Sequence, residues 1–289
     1  MDETAIKQNE EKTIGVDIGG TKISAGLVEN GNILASVTLP TPVNGKQEDV
    51  IDLVVMAINR VISEDVTGIG VGIPGLVDTS TGTVYDVQNI PSFTNVPLKK
   101  VLEKKLGKEI FLNNDANCFA LGASKFGNGK SYNNMVGLTL GTGLGGGVVL
   151  HGHLYEGMGC GAGEFGYLPY RGGILEHYCS GQFFQRQYNI TGKEAYALAL
   201  QRDEKALRMF NHFGHHLGEA IKMIAHVFAP EAVILGGSIS RNFDFFQQSM
   251  WADIRQFPYK HVIDNLVVMP AVNPEIAIIG AASLVSKLE

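Results

Sequence analysis

Three short stretches hold the residues best suited to chemistry. "IGVDIGGTKISAGLV", Ile14 to Val28, sets Asp17 ahead of Gly19, Gly20, Thr21 and Lys22. "LGTGLGGG" carries Gly141, Thr142 and Gly143, and "NNDANC" carries Asn113, Asn114 and Asp115. Glycine lets backbone N–H groups approach a phosphate closely. A carboxylate can accept the proton of a hydroxyl that attacks a phosphoryl group, and an asparagine can hold that hydroxyl's carrier as donor and acceptor. Glycine loops and a polar elbow in one chain point to phosphoryl transfer. Each motif also has a plainer reading. A glycine loop can be only a tight turn, and Asp or Asn is a favoured helix N-cap.

The elements around these residues narrow the choice. The first stretch is not a Walker A loop, which needs G-x-x-x-x-G-K-[ST] opening into a helix. It is not the dinucleotide fingerprint G-x-G-x-x-G either, which also leads into a helix. After Lys22 the pattern alternates, with Ile23, Ala25 and Leu27 on one face and the turn "ENGN" following. The loop is therefore the bend of a hairpin. "VGLTLGTGLGGGVVLHGHLY", Val136 to Tyr155, repeats the arrangement: apolar strand, glycine loop with a threonine, apolar strand, short turn, apolar strand. Two such hairpins on two similar domains, facing across a cleft, would hold a polyphosphate from both sides.

The rest of the chain reads as alternating helices and strands. Helical spacing predicts helices over Val50 to Ile62, from Leu98 to Leu106, over Ala206 to Phe228 and over Ala277 to Leu288. "GIGVGIPG", "EIFLNN" and "AVILGG" read as buried strands. This is an α/β fold with largely parallel pairing plus the antiparallel hairpins. Two domains are expected: residues 1–117 with 277–289, and residues 118–276. The strand ending at Leu112 delivers Asn113, Asn114 and Asp115 to its C-terminal end, the edge where open α/β sheets bind ligands.

Composition excludes other classes. Of 289 residues, 45% are hydrophobic and 18% charged, as in an ordinary soluble enzyme. A net charge of −6 argues against nucleic acid or an anionic membrane as partner. Three irregularly spaced cysteines suggest a reducing compartment. The polar start "MDETAIKQNEEK" is no signal peptide, and no apolar run reaches the ~20 residues of a membrane span, so a cytoplasmic location is expected.

"DIGGTK", "GIPGLVD", "NIP", "NNDAN", "LGTGLGGG", "GEFG" and "LGGSIS" occur in the order found in ROK sugar kinases, and the resemblance spans almost the whole chain. It implies the actin-like/hexokinase (ribonuclease H-like) fold of two α/β lobes that close on ATP and sugar. It implies Asp115 as catalytic base for an attack by the 6-hydroxyl of a hexose, glucose first. An N-acetylhexosamine, mannose or fructose is the alternative. Gly75, Asn89, Asn114 and Glu164 would contact the sugar. Asp17 would help position Mg²⁺ through water. Gly19, Gly20, Thr21 and Lys22 would line the phosphates from one side and Gly141, Thr142 and Gly143 from the other. Gly236 and Gly237 would lie against the adenosine. ROK kinases are often dimers, so a homodimer is expected. The repressor branch of the family carries an N-terminal helix-turn-helix module, whereas a short polar tail precedes Ile14 here. A sugar-sensing protein without catalysis is the remaining alternative.

The chain departs from the family where a structural zinc site normally lies. The family shows E-x-G-H and then C-x-C-G-x-x-G-C-x-E. Here the first motif is "EFGY", with Tyr167 in the histidine's place, and the cysteine cluster is missing. "LEHYCSG" resembles the family's L-E-x-x-x-S-G, which makes Glu176 the second sugar carboxylate and adds Tyr167 to the sugar side. A zinc-free enzyme is expected, with Tyr167, Tyr170 and Tyr178 buried in the metal's stead. His212, His215 and His216 at i, i+3 and i+4 have metal-binding spacing but read as a solvated helix face. Trp251, Phe243, Phe245 and Phe246 read as packing.

Overall fold

The computed structural model describes residues 11–85, 87 and 89–286. The polar tail before Glu11 and the end of the expected closing helix lie outside the described residues. The chain divides into two compact units. One runs to Asp115 and resumes at Ile278; the other is Ala116–Ala277.

The first unit opens with an antiparallel meander of β1 (Lys12–Ile18), β2 (Lys22–Glu29) and β3 (Asn32–Pro40). Its second bend is Asn30-Gly31, both at positive φ as a tight hairpin turn demands. Helix α1 (Gln47–Asn59) buries Val50, Ile51, Val54, Ala57 and Ile58 along one stripe and leads to β4 (Val66–Ile73). A small hairpin follows, β5 (Leu76–Asp78) with β6 (Thr83–Tyr85). Helix α2 (Leu98–Leu106) stops at Gly107, whose left-handed φ of 64° turns its N–H back to the Glu103 carbonyl. Strand β7 (Ile110–Asn114) completes a sheet of order β3-β2-β1-β4-β7.

Helix α3 (Asp115–Lys125) leads into the second unit, where the plan recurs. β8 (Met135–Leu140), β9 (Leu144–Leu150) and β10 (His153–Tyr155) form the meander. After the small ladder of β11 (Pro169–Tyr170) and β12 (Gly173–Ile174) come α4 (Glu176–Cys179), α5 (Gly181–Tyr188), α6 (Gly192–Leu200) and α7 (Glu204–Phe228). Then follow β13 (Ala232–Gly236), α8 (Gly237–Ser240), α9 (Phe243–Ile254), α10 (Lys260–Asp264) and β14 (Val267–Pro270). The sheet order is β10-β9-β8-β13-β14. The internal repeat thus extends past the glycine hairpins to the whole sheet. It also corrects the expectation of largely parallel pairing. In each sheet the meander makes two pairings antiparallel, and only the two beyond it are parallel.

Helix α11 (Ile276–Ala282) closes the chain and is shorter than the expected Ala277 to Leu288. The reason is local. Ser283 donates its hydroxyl to the Ile279 carbonyl, and the next amides, Leu284 and Val285, bond three residues back instead of four. Its backbone sits unusually close to the first sheet. A Cβ at Gly15 would stand 1.8 Å from the Ile278 carbonyl oxygen, and one at Gly70 would stand 1.7 Å from that of Ala281. In the second unit α3 plays the same part, since a Cβ at Gly147 would stand 2.6 Å from the Ala116 carbonyl oxygen. Small residues in central strands are what let a helix backbone settle on the sheet.

The second unit's core gathers α5, α6, α7 and α9 around Phe183, Phe184, Phe210, Phe213 and Phe246, all fully buried. Phe243, Phe245 and Trp251 pack against it. The histidines of α7 are not the solvated face expected of them. His215 is exposed and pairs with Asp253, but His216 is only 2% exposed. His216 Nδ1 meets the Tyr170 hydroxyl at 3.0 Å and its Nε2 meets His212 Nε2 at 3.0 Å. His212 Nδ1 in turn meets the Tyr188 hydroxyl at 2.9 Å. Burial pushes His216 down to about 4, with His212 beside it acting in the same direction. The pair stays neutral and its ring nitrogens can accept as well as donate. Helical spacing showed which residues share a face, and only the neighbouring tyrosines decided that this face is interior.

Candidate active site

In the first unit, the C-terminal edges of β1, β4 and β7 carry the candidates in register. Asp17 stands opposite Gly72, and Ile73 opposite Asn114. Gly75, at φ 90°, follows β4 and offers its carbonyl to Asn114 Nδ2 at 3.2 Å. Asn113 Oδ1 accepts the Asn114 N–H at 2.8 Å. Asp115 is the first residue of α3, where the helix N-terminus favours a negative charge. It lies inside the first turn, not at the cap position that precedes it.

The first glycine loop is pinned from behind. Gly19 N–H donates to the Lys22 carbonyl at 2.8 Å, and Thr41 donates its hydroxyl to the Gly19 carbonyl at 2.7 Å. Gly20 N–H and Thr21 N–H donate to nothing among the described residues. Asn89 lies against this loop, close enough that a Cβ at Gly20 would come within 2.7 Å of its own. Burial raises the Asp17 carboxyl's pKa, and the charge of Lys22 partly offsets this.

The second unit presents a matching loop. Gly141 N–H donates to the Gly143 carbonyl at 3.0 Å, while Thr142 N–H and Gly143 N–H have no partner among the described residues. Adjacent amides without a partner are groups that an anion can accept from. Beside the second loop, Gly237 at φ 82° backs onto Leu140; a Cβ there would stand 2.4 Å from the Leu140 carbonyl oxygen. Gly236-Gly237 and Gly141–Gly143 therefore share one sheet edge. Past α8 a cavity of about 410 Å³ opens between Tyr196, Arg202, Arg241, Asn242 and Phe245.

Glu164 and Glu176 also come together in this unit. The "GEFG" segment runs along β9, with Gly166 packed against the Leu144 carbonyl. Burial raises the Glu164 pKa, and the nearby Glu176 charge raises it further. Glu176 is held at both oxygens: Oε2 accepts the Leu144 N–H at 3.0 Å and Oε1 accepts Gln182 Nε2 at 2.7 Å. Sequence reasoning found Glu176 but not Gln182, which lies six residues on, across the α4–α5 break, where no periodicity relates the two.

The tyrosines divide. Tyr178 is half-buried and donates to the Arg171 carbonyl at 3.0 Å, and its ring meets Tyr170 edge-on at 5.1 Å. Tyr167 is 49% exposed, which corrects its expected burial. Tyr167 forms the end of a one-turn 3₁₀ segment, Phe165–Tyr167, whose buried anchor is Phe165. The residues that could have served zinc do not fit it. Cys179 is buried in the apolar core, where burial pushes its thiol well above the usual range and disfavours the thiolate a metal needs. Among the described residues, no three His, Cys, Asp or Glu side chains are gathered as a metal site. Asp17, by contrast, offers the hard oxygen ligand that Mg²⁺ accepts.

No helix among the described residues is long and apolar enough to cross a membrane. The glucokinase of Thermotoga maritima is 35% identical to this chain, with 96% of this chain and 98% of that protein covered. The N-acetyl-D-glucosamine kinase of Haemophilus influenzae is 33% identical, with 82% and 86% covered. A ROK family glucokinase from Streptomyces griseus, solved in complex with glucose and AMPPNP, superposes with a TM-score of 0.83 at 29% identity, covering 94% of this chain and 98% of its own. The fold shared with it is the actin-like/hexokinase α/β fold. The ROK family model matches residues 13–288, nearly everything from the first strand onward, and the chain belongs to the ROK family.

Proposed function

We propose that this protein transfers the γ-phosphoryl group of ATP to the 6-hydroxyl of a hexose, with Asp115 as general base. Glucose is the first choice and N-acetylglucosamine the second, after the names of the relatives. The observation that carries the reading is the pair of glycine loops, each with two unpartnered adjacent amides. In this reading the backbone amides of Gly20, Thr21, Thr142 and Gly143 serve the nucleotide's phosphates. Adenosine lies against Gly236-Gly237, with room in the adjoining cavity beside Tyr196 and Phe245. Gly75, Asn89, Asn114, Glu164, Tyr167 and Glu176 hold the sugar. Asp115 takes the proton of the 6-hydroxyl as its oxygen bonds to the γ-phosphorus. The bond from that phosphorus to the bridging oxygen breaks, and ADP leaves. Mg²⁺ near Asp17 would supply charge neutralisation at the phosphates. A cytoplasmic homodimer completes the reading.

A coupled kinase assay over glucose, N-acetylglucosamine, N-acetylmannosamine, mannose and fructose tests it. Turnover with none of them would remove the proposal. Thr142→Val is expected to raise the KM for ATP about tenfold, because a hydrogen bond to a charged group contributes about 1.5 kcal/mol or more. An unchanged ATP dependence would detach the second loop from the nucleotide.

The enzyme is also expected to work without zinc. Protein purified without a His tag should contain far less than one zinc per chain. It should keep its activity in a chelator once Mg²⁺ is in excess. Near-stoichiometric zinc, lost together with activity, would refute this, since a structural zinc needs four ligands that these residues do not supply.

A further inference from the structure

We infer that Gln182 is a positioning residue that links sugar occupancy to the shape of the second phosphate loop. The inference rests on the kinase reading and deepens it.

The segment Glu176–Gln182 grips the loop at both of its ends. Glu176 Oε2 accepts the Leu144 N–H at 3.0 Å on one side. On the other, Gly181 N–H donates to the Gly141 carbonyl at 2.7 Å. Between these two points lie Thr142 and Gly143, whose amides are free for phosphate. The segment is internally braced as well. Ser180, fully buried, donates its hydroxyl to the Glu176 carbonyl at 2.7 Å and accepts the Gln182 N–H at 3.1 Å. Gln182 Nε2 then closes the ring onto Glu176 Oε1 at 2.7 Å.

A carboxylate has about four acceptor sites, and this one uses two. Glu176 can therefore receive a sugar hydroxyl without releasing Leu144. A hydroxyl bonded to Glu176 pulls on the same group that fixes the loop, and Gln182 is what keeps that group from swinging. Without the amide donor on Oε1, the carboxylate can rotate to serve the sugar or the loop separately. Gln182 touches neither substrate, and its effect is on the coupling between them.

The test measures AMPPNP affinity by calorimetry with and without saturating glucose, or N-acetylglucosamine if that is the sugar turned over. In the wild type, sugar is expected to tighten AMPPNP about 5- to 10-fold, within the usual range of coupling between two sites. Gln182→Met has a similar length but no donor. It is expected to bring that ratio below about twofold, with the thermal midpoint and the sugar-free AMPPNP affinity little changed. Gln182→Glu sets a like charge against Glu176 and should give the same loss, so poor folding of one variant does not end the test. A coupling ratio kept in both variants, or absent in the wild type, would overturn the inference. Failure of the kinase reading would look different: a wild type that turns over no hexose and does not bind AMPPNP.

Discussion

Asp115→Asn is expected to lower kcat by about 10²- to 10⁴-fold, the usual contribution of a general base. The substitution keeps the side chain's shape and a hydrogen-bonding oxygen and removes only the proton acceptor. Asparagine serves a helix start as well as aspartate does, so the thermal midpoint should hold. Sugar affinity, measured by calorimetry, should hold too, because Asn114, Asn89 and Gly75 are untouched. The experiment also separates proton transfer from a purely electrostatic role at the start of α3. A charge that only favours the helix N-terminus would be replaced by Asn without kinetic cost. If the variant kept more than about a tenth of the wild-type kcat, Asp115 would serve only the helix N-terminus and the base would lie elsewhere.

The largest effect on stability is expected from Gly70→Ala. The new Cβ would lie 1.7 Å from the Ala281 carbonyl oxygen and 2.6 Å from its carbon, both backbone atoms of the closing helix. A flexible side chain could turn aside, but a helix backbone on a sheet can only move as a body. Overpacking typically costs 1–3 kcal/mol, and a backbone clash of this kind should exceed about 3 kcal/mol. Gly107→Ala is the control. It imposes a left-handed residue at φ 64° but meets no atom within 4 Å, and should cost only about 1–2 kcal/mol. Urea unfolding compares the two directly. Equal destabilisation would mean that α11 does not bear on β4 as closely as described.

The two glycine hairpins, the meanders they begin and the polar elbow at Asn113–Asp115 were legible because their signals are local. Strict alternation marks a half-buried strand, a glycine cluster marks a bend, and a strand's last residues fall at its edge whatever surrounds it. The same locality explains the limits. Alternation in "IGVDIGGTKISAGLV" predicts a hairpin but cannot say that its neighbours on the far side run parallel, or that half of each sheet's pairings would be antiparallel. Nothing local shows that Gly15 and Gly70 admit a helix backbone.

By itself the sequence determined the α/β class, the two glycine hairpins, the polar elbow and the family. These rest on residue type and spacing along the chain. Tertiary structure alone decided that a buried His216 pairs with a half-buried His212 between Tyr170 and Tyr188, that Tyr167 is exposed, and that Glu176 is fastened to Leu144 and Gln182. The physical reason is common to all three. Burial and hydrogen-bond partnership depend on which distant segment arrives at a side chain. A polar group's role is settled by that partner's donors and acceptors, which its own neighbours in the sequence do not reveal.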